Sequence, residues 1–173
     1  MAMERGAAGV RQYGLRGVGL GLLNGVIVTK LKIPSFIVTL CTQNLWAFIA
    51  LYFCPNGSVA VGMEYRKEIS WMTSKVAGIP VIFFFAVVVV ILLYIFQQYT
   101  PSGRAIFAVG ANIRSTRLAG VDTDKAQIMA FVVSGACSSL AGALYAYKQK
   151  SAVPTIGDAL TLSAIASIAL GGT

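Results

Sequence analysis

Polar side chains interrupt one otherwise apolar stretch at spacings of three and four residues, and they are the groups in this sequence best suited to chemistry: Ser35, Thr39, Thr42, Gln43 and Trp46. On a helix this spacing gathers side chains on one face. In lipid such a face must meet protein or a wet cavity. The pattern therefore predicts either a path for a polar solute or hydrogen bonding between helices, and both interpretations stay open. The candidate solute-path residues are Asn24, Thr39, Gln43 and Asn44.

Catalytic chemistry lacks its usual residues. The sequence contains no histidine, no phosphate-binding G-x-x-x-x-G-K-[ST] loop, no paired carboxylates within an apolar run and only three scattered cysteines, Cys41, Cys54 and Cys137. We expect no enzyme activity, no metal site and no cofactor. Ion-coupled transport would be expected to place an ionisable residue inside a span. If the chain moves a solute, the energy is therefore expected to come from another subunit.

The composition indicates a membrane protein. Of 173 residues, 57% are hydrophobic and 12% charged, and the mean hydropathy is +0.75. Residues 76–96 carry no charge, and this run is long enough to cross a hydrocarbon core of about 30 Å. The net charge of +8 comes from basic residues at the ends of apolar runs, which indicates anchoring at membrane lipid headgroups rather than nucleic-acid binding.

The charge-free runs predict an all-α, polytopic transmembrane helical bundle, one partial domain over residues 1–173 with a short or re-entrant C-terminal helix. The predicted spans are about 14–29, 34–53, 79–97 and 126–147, with a re-entrant or broken segment at 159–173. The first span is the weakest because it is the shortest. The third carries no strongly polar side chain before Gln97 and is expected to face lipid.

Small residues predict close helix packing. Gly17, Gly21 and Gly25 repeat every four residues in the first span. In the fourth span two neighbouring rows of small residues are possible interfaces: Ser134, Ser138 and Gly142 form one row, and Gly135, Ser139 and Ala143 form the other. Either row would allow another helix to approach closely.

Three blocks of sequence carry a family resemblance. The first is G-L-L-N-G at residues 21–25 with K-L-K-I-P-S-F-I-V-T-L at 30–40, and the second is G-R-A-I-F-A-V-G-A-N at 103–112 with T-R-L-A-G-V at 116–121. The third is Pro154 and Gly157 with A-I-A at 164–166 and G-G-T at 171–173. In this order and spacing they resemble the membrane permease subunits of ribose-type (carbohydrate) ABC importers.

The resemblance implies a multi-pass permease of the bacterial plasma (inner) membrane. Such a subunit forms the translocation path with a second permease copy or paralogue, is driven by cytoplasmic ABC ATPase subunits and receives solute from an extracytoplasmic solute-binding protein. The resemblance also implies that residues 98–125 form a cytoplasmic ATPase-coupling loop, on the same side as Lys30 and Lys32, although charge counting alone leaves the orientation open. The implied coupling residues are Gly103, Arg104, Gly110, Asn112, Arg114, Arg117 and Gly120. The implied re-entrant residues are Ala164, Ile165, Gly171 and Gly172.

The sequence departs from the family pattern in three ways. Family permeases are longer chains, so the sequence is expected to be a fragment that lacks helices before Gly17 and all sequence beyond Thr173. Thr161 and Ser163 stand where the family commonly has Glu and Asp, so the solute does not follow from the resemblance. Residues 1–13 match nothing in the pattern.

A short helix is predicted within the coupling loop. Asn112 suits the N-cap, Gly120 suits the position just past the C-terminus, and the residues between contain no helix breaker. Such a helix would place Arg114 and Arg117 on one side, where they can reach acidic groups of a partner, and would offer Ile113 and Leu118 for apolar contact.

A non-transporting membrane scaffold or assembly subunit is the alternative function.

Overall fold

The computed structural model of the chain describes residues 2–53, 59–60, 75–76, 79–149, 151–153 and 157–171. Within these ranges the helices are α1 (Ala2–Leu31), α2 (Ser35–Phe53), α3 (Val81–Tyr99), α4 (Pro101–Ala111), α5 (Ile113–Leu118), α6 (Thr123–Gln149) and α7 (Asp158–Leu170). Two-residue strands lie between them: β1 (Val59–Ala60), β2 (Lys75–Val76), β3 (Ile79–Pro80) and β4 (Ser151–Ala152). These strands only tie connections together, and the fold is the predicted all-α helical membrane bundle.

Three helices in the described part of the chain are long and apolar enough to cross a membrane. They are Ser35–Phe53, Val81–Tyr99 and Thr123–Ala146, with mean hydropathies of 1.6, 2.6 and 1.7. They overlap the second, third and fourth stretches that the sequence predicts as spans, with ends that differ by up to three residues. None of the residues of α3 is buried within the chain, as expected of a helix that faces lipid.

The first helix is longer than the sequence indicates. We expect a span starting near residue 14, but α1 starts at Ala2 and has 30 residues. The residues before Gly14 contain no proline, and Glu4 and Arg5 are good helix formers. Nothing local therefore stops the helix from extending towards the N-terminus.

Glycines bring α1 and α6 into close antiparallel contact. A Cβ atom at Gly17 would collide with Ser139 and with the carbonyl oxygen of Gly135, and one at Gly21 would collide with the carbonyl oxygen of Phe131. Only residues without a side chain allow the two backbones to approach this closely. The term glycine seam is used below for Gly17, Gly21, Gly25, Gly135 and Ser139.

The structure distinguishes the two rows of small residues on α6. Gly135 and Ser139 pack against α1. By contrast, Ser134 and Ser138 are exposed, and a Cβ at Gly142 would meet no atom within 4 Å. The row that contains Gly135 is therefore the interface.

Two groups of contacts define the two ends of the bundle. At one end, β1 pairs with β4 in antiparallel register, Val59 opposite Ala152, so the chain after α2 meets the chain after α6. At the other end, a cavity of about 930 Å³ is lined by Lys32 of the α1–α2 link, Ile113 of α5 and Asp122 before α6. The α1–α2 link thus lies at the same end as α5, which agrees with the common side implied for Lys30, Lys32 and the coupling segment.

The C-terminal helix α7 is short. Its 13 residues span about 20 Å, which is less than the hydrocarbon thickness of about 30 Å. Gly171 follows the helix and donates its backbone N–H to the carbonyl oxygen of Ser167 at 3.0 Å. The predicted short C-terminal helix is therefore present, while its re-entrant character stays a prediction; Gly172 of the predicted re-entrant set lies outside the described residues.

Candidate functional site

Helix α4 starts at a well-formed cap directly after α3. The Oγ1 atom of Thr100 accepts the backbone N–H of Gly103 at 3.1 Å, and Pro101 occupies the first helical turn, where its missing N–H is harmless. A Cβ at Gly103 would collide with the carbonyl oxygen of Phe96. Gly103, a predicted coupling residue, is therefore required for the tight turn between α3 and α4.

The stretch predicted as a coupling loop is largely helical. Besides the short helix that the sequence indicates, it contains the 11 residues of α4. Arg104 and Gly110 of the predicted coupling set both lie on α4, and both are exposed. The caps at Thr100 and Pro101 are the sequence signal that would have identified this helix.

The predicted short helix is present as α5, Ile113–Leu118, and its predicted caps are confirmed. The Oδ1 atom of Asn112 accepts the backbone N–H groups of Arg114 at 3.0 Å and Ser115 at 3.2 Å. Gly120, just beyond the helix, has φ of +80°, a conformation that favours glycine. Both ends of this helix thus follow from local sequence chemistry.

Thr116 fixes α5 against the end of α4. Its side chain is buried, and its Oγ1–H can donate to the carbonyl oxygens of Ala108 and Asn112, both at 2.8 Å. The contact with Ala108 joins residues eight positions apart, so it sets the angle between the two helices. Sequence reasoning missed this role, because a threonine among basic residues carries no signal of burial.

Arg117 turns towards α6. Its Nη2 donates to Oγ1 of Thr123 at 2.9 Å and to Oδ1 of Asp124 at 3.4 Å, and its Nε also reaches Thr123 at 3.3 Å. Arg114 and Leu118 are exposed, as Arg117 is, but the Arg114 side chain makes no hydrogen bond or ion pair within the described residues, and Leu118 is 90% accessible. Arg114 and Leu118 are called the outer face of α5 below. The structure thus separates Arg114 and Arg117, which the sequence analysis places together.

Asp122 lies directly before α6 and caps its first turn. Its Oδ1 accepts the backbone N–H of Lys125 at 3.2 Å, and its Oδ2 forms an ion pair with Lys125 Nζ at 3.0 Å. These hydrogen bonds, above all the one to the Lys125 side chain, hold the pKa of Asp122 below its ordinary value. The cap is therefore charged at neutral pH.

Three polar side chains of α2 donate to carbonyl oxygens of their own helix. Thr39 Oγ1 donates to the carbonyl oxygen of Ser35 at 3.0 Å, Thr42 Oγ1 to that of Val38 at 3.0 Å, and Asn44 Nδ2 to that of Leu40 at 2.9 Å. These bonds stay within one helix. The oxygens of Thr39, Thr42 and Asn44 keep lone pairs that can accept a hydrogen bond from another molecule.

Gln43 of α2 contacts another helix. Its Oε1 lies 3.4 Å from Oγ1 of Thr161 in the first turn of α7. Ala164 of the predicted re-entrant set is exposed and Ile165 is half-buried on the same helix. The structure thus brings one solute-path candidate next to the predicted re-entrant segment.

Asn24 is the solute-path candidate on α1. Its side-chain oxygen is shielded from solvent, and it has no hydrogen-bond partner among the described residues. A buried acceptor without a donor costs roughly 1–3 kcal/mol, so the described residues alone leave this oxygen in an unfavourable environment. In the described part of the chain, no three His, Cys, Asp or Glu side chains gather as a metal site would require.

Comparison with known proteins assigns the family. The profile of the family described as "Branched-chain amino acid transport system / permease component" matches residues 7–173. The chain belongs to this family. The match starts within residues 1–13, so part of the segment that the sequence analysis leaves unmatched is family sequence.

The relatives of this permease chain include permeases named for ribose, D-allose and autoinducer 2. It is 38% identical over 161 residues to the ribose import permease protein of Haemophilus influenzae, covering 92% of this chain and 50% of the relative. It is 32% identical over 159 residues to the D-allose transport system permease protein of Escherichia coli K12, covering 92% and 48%. It is 33% identical over 162 residues to the autoinducer 2 import system permease protein of Photorhabdus laumondii, covering 91% and 47%.

The permease chain spans about half the length of the curated relatives it matches. No solved structure matches it. Family membership and the three apolar helices together make it a multi-pass protein of the inner membrane. The resemblance to ribose-type import permeases is confirmed.

Proposed function

We propose that the chain is part of the transmembrane permease subunit of an ATP-driven importer for sugars or related small polar solutes. The observation that carries the proposal is the capped helix α5, which presents an exposed arginine and an exposed leucine at one end of the bundle. The names of the relatives, which concern import of ribose and autoinducer 2 and transport of D-allose, support the solute class.

The outer face of α5 is the proposed docking surface for a cytoplasmic ABC ATPase. Leu118 offers apolar area that is expensive to leave in water, and Arg114 can pair with an acidic group across an interface. Gly103, Asn112 and Gly120 contribute by shaping the helices that carry this face. Arg104 and Gly110 lie on the adjoining exposed surface of α4, where they would extend the contact.

The proposed solute path runs along α2 and the start of α7. Thr39, Gln43 and Asn44 offer neutral hydrogen-bonding groups, and α2 contains no charged residue. Hydroxyl and amide groups of this kind suit a neutral solute rich in hydroxyls. The oxygen of Asn24, which has no partner among the described residues, is a further acceptor for such a path, with α7 as its re-entrant element.

The remaining partners follow from the proposed function. A second permease copy or paralogue would complete the path, because one polar face on α2 cannot enclose a solute. An extracytoplasmic solute-binding protein would deliver the solute at the β1–β4 end.

Docking is tested by co-purification of the tagged chain with the ATPase of its own transport system. Arg114→Glu should reduce the amount of ATPase recovered, because it replaces the proposed pairing charge by repulsion. Lys148→Glu is the matched control, since Lys148 is exposed near the opposite end of α6. Equal recovery of ATPase with both variants would contradict docking at α5. If neither the unaltered chain nor any variant recovers ATPase, the scaffold alternative is favoured.

The path is tested by Gln43→Leu in proteoliposomes that contain the chain, its ATPase and its binding protein, with radiolabelled D-ribose as the first solute. We expect normal assembly and lost uptake. Cys41→Leu, on an exposed position of the same helix, is the control. If Gln43→Leu instead disrupts assembly, the polar face of α2 serves hydrogen bonding between helices.

A further inference from the structure

Helix α5 is too short to hold its own position. It has six residues, and isolated helices of this length are unstable in water. One attachment is the hydrogen bond of Thr116 to Ala108, which joins α5 to α4. A second attachment must fix the rotation of α5 relative to α6.

The Arg117 side chain is in place to supply this second attachment. It reaches across the turn at residues 119–122 and donates to Thr123, the first residue of α6. Thr123 is only 3% exposed, so its hydroxyl is a fixed acceptor rather than a mobile surface group. Oδ1 of Asp124 also forms an ion pair with Nη2 of Arg117 at 3.4 Å. Both side chains are more than half exposed, so this ion pair alone is weak.

The neighbouring arginine shows that this arrangement is specific. Arg114 lies on the same helix and carries the same charge, yet within the described residues its side chain makes no hydrogen bond or ion pair. The two arginines therefore differ in role. Arg114 faces outward, and Arg117 bonds within the chain.

We propose that Arg117 is a positioning residue that holds α5 on the first turn of α6 through Thr123. A displacement of α5 then moves α6 directly, and the glycine seam passes that movement to α1. The transmission of movement from α5 to α6 rests on the proposed ATPase docking at α5. The attachment of Arg117 to Thr123 does not depend on that docking.

The attachment is tested by hydrogen–deuterium exchange on the purified full chain in lipid nanodiscs, without any ATPase. Arg117→Ala should speed amide exchange in residues 113–118 by about three- to tenfold, because the lost bonds involve a charged donor. Thr123→Val should have a similar effect, and the double variant should add little, since both changes remove the same bonds. Arg117→Lys should restore part of the protection, because an ammonium can reach the same oxygens one at a time.

Arg114→Ala is the matched control and should leave exchange in α5 unchanged. Equal exchange in the Arg114→Ala and Arg117→Ala variants would overturn the proposal, as would additive effects of Arg117→Ala and Thr123→Val. A failure of ATPase docking would leave this measurement unaffected, so the two proposals fail separately.

A second readout uses the complex with the ATPase. Arg117→Ala should keep ATPase co-purification but reduce the stimulation of ATP hydrolysis by solute, whereas Arg114→Glu should reduce co-purification itself. If Arg117→Ala removes co-purification while exchange in α5 stays at the unaltered level, Arg117 is a docking contact and the positioning role is wrong.

Discussion

The glycine seam and the connection from Thr100 to Thr123 are held together by different means. In the seam, α1 and α6 meet because most of the residues between them are glycines, so the backbone of one helix approaches the other closely. In the connection, almost every turn depends on one side-chain hydrogen bond: Thr100 starts α4, Asn112 starts α5, Thr116 joins them and Arg117 reaches α6.

The difference follows from the surroundings of each region. Lipid gives no hydrophobic force between helices, so the seam depends on van der Waals contact at close range. The connection lies in water or at headgroup level, where a single hydrogen bond contributes only about 1 kcal/mol. We infer that the seam moves as a unit, while the connection can be adjusted by small forces such as partner binding.

The largest effect is expected in the seam. Gly21→Ala places a Cβ against the carbonyl oxygen of Phe131 and should destabilise the chain by about 1–3 kcal/mol. Gly19→Ala, two residues away, meets no atom within 4 Å and should be neutral or stabilising by up to about 1 kcal/mol, because alanine favours helix. The free energy of unfolding of each variant in mixed detergent micelles, compared with that of the unaltered chain, measures both effects. The same sign for the two variants would contradict close packing of α1 on α6.

Smaller changes in stability are expected at two residues outside the seam whose backbone has a left-handed conformation. Gly120 has φ of +80° and Lys32 has φ of +52°. Gly120→Ala should destabilise the turn before α6 by about 1–2 kcal/mol, and Lys32→Gly should relieve a similar strain in the α1–α2 link. Hydrogen exchange near each site reports the change. A loss of protection after Lys32→Gly would contradict the backbone conformation of this link.

Asn112→Ala tests the dependence of the connection on single caps. Removing the acceptor for the backbone N–H groups of Arg114 and Ser115 should destabilise α5 by about 1 kcal/mol. Asn112→Asp keeps the acceptor and is the control. The exchange rates of the α5 amides measure the effect, and equal rates in both variants would argue against capping by this side chain.

The smallest effect is the pH dependence of the α6 cap. The folded-state pKa of Asp122 lies below its ordinary value of 3.8, so the cap contributes stability above that value and loses it as the pH falls through the folded pKa. A carboxyl carbon titration by NMR should show the pKa of Asp122 rising towards 3.8 in Lys125→Ala and unchanged in Arg114→Ala. An unchanged pKa in Lys125→Ala would contradict the bonds between these residues.

The sequence predicted what depends on local chemistry. Charge-free runs indicated α2, α3 and α6, and Asn112 and Gly120 indicated the limits of α5. The spacing of Gly17, Gly21 and Gly25 indicated a packing face. These features depend on spans, caps and spacings that a single stretch of sequence contains.

What the sequence could not supply depends on pairs of distant elements. Two rows of small residues on α6 were equally suitable, and only the position of α1 selects the one with Gly135. The helical spacing of Arg114 and Arg117 suggested a shared role, but the return of the chain after Gly120 brings Thr123 next to Arg117 alone. The contact between Gln43 and Thr161 joins positions 118 residues apart.

Cross-linking at Leu118 tests most directly whether α5 is the docking helix of an ATP-driven permease. Leu118→Cys, in a chain whose Cys41, Cys54 and Cys137 are replaced by alanine, should form a cross-link to the ATPase of the same transport system, and the yield should change with bound nucleotide. Lys148→Cys, near the opposite end of α6, should form none. A cross-link from residue 148 with none from residue 118, or equal yields from both, would contradict the account.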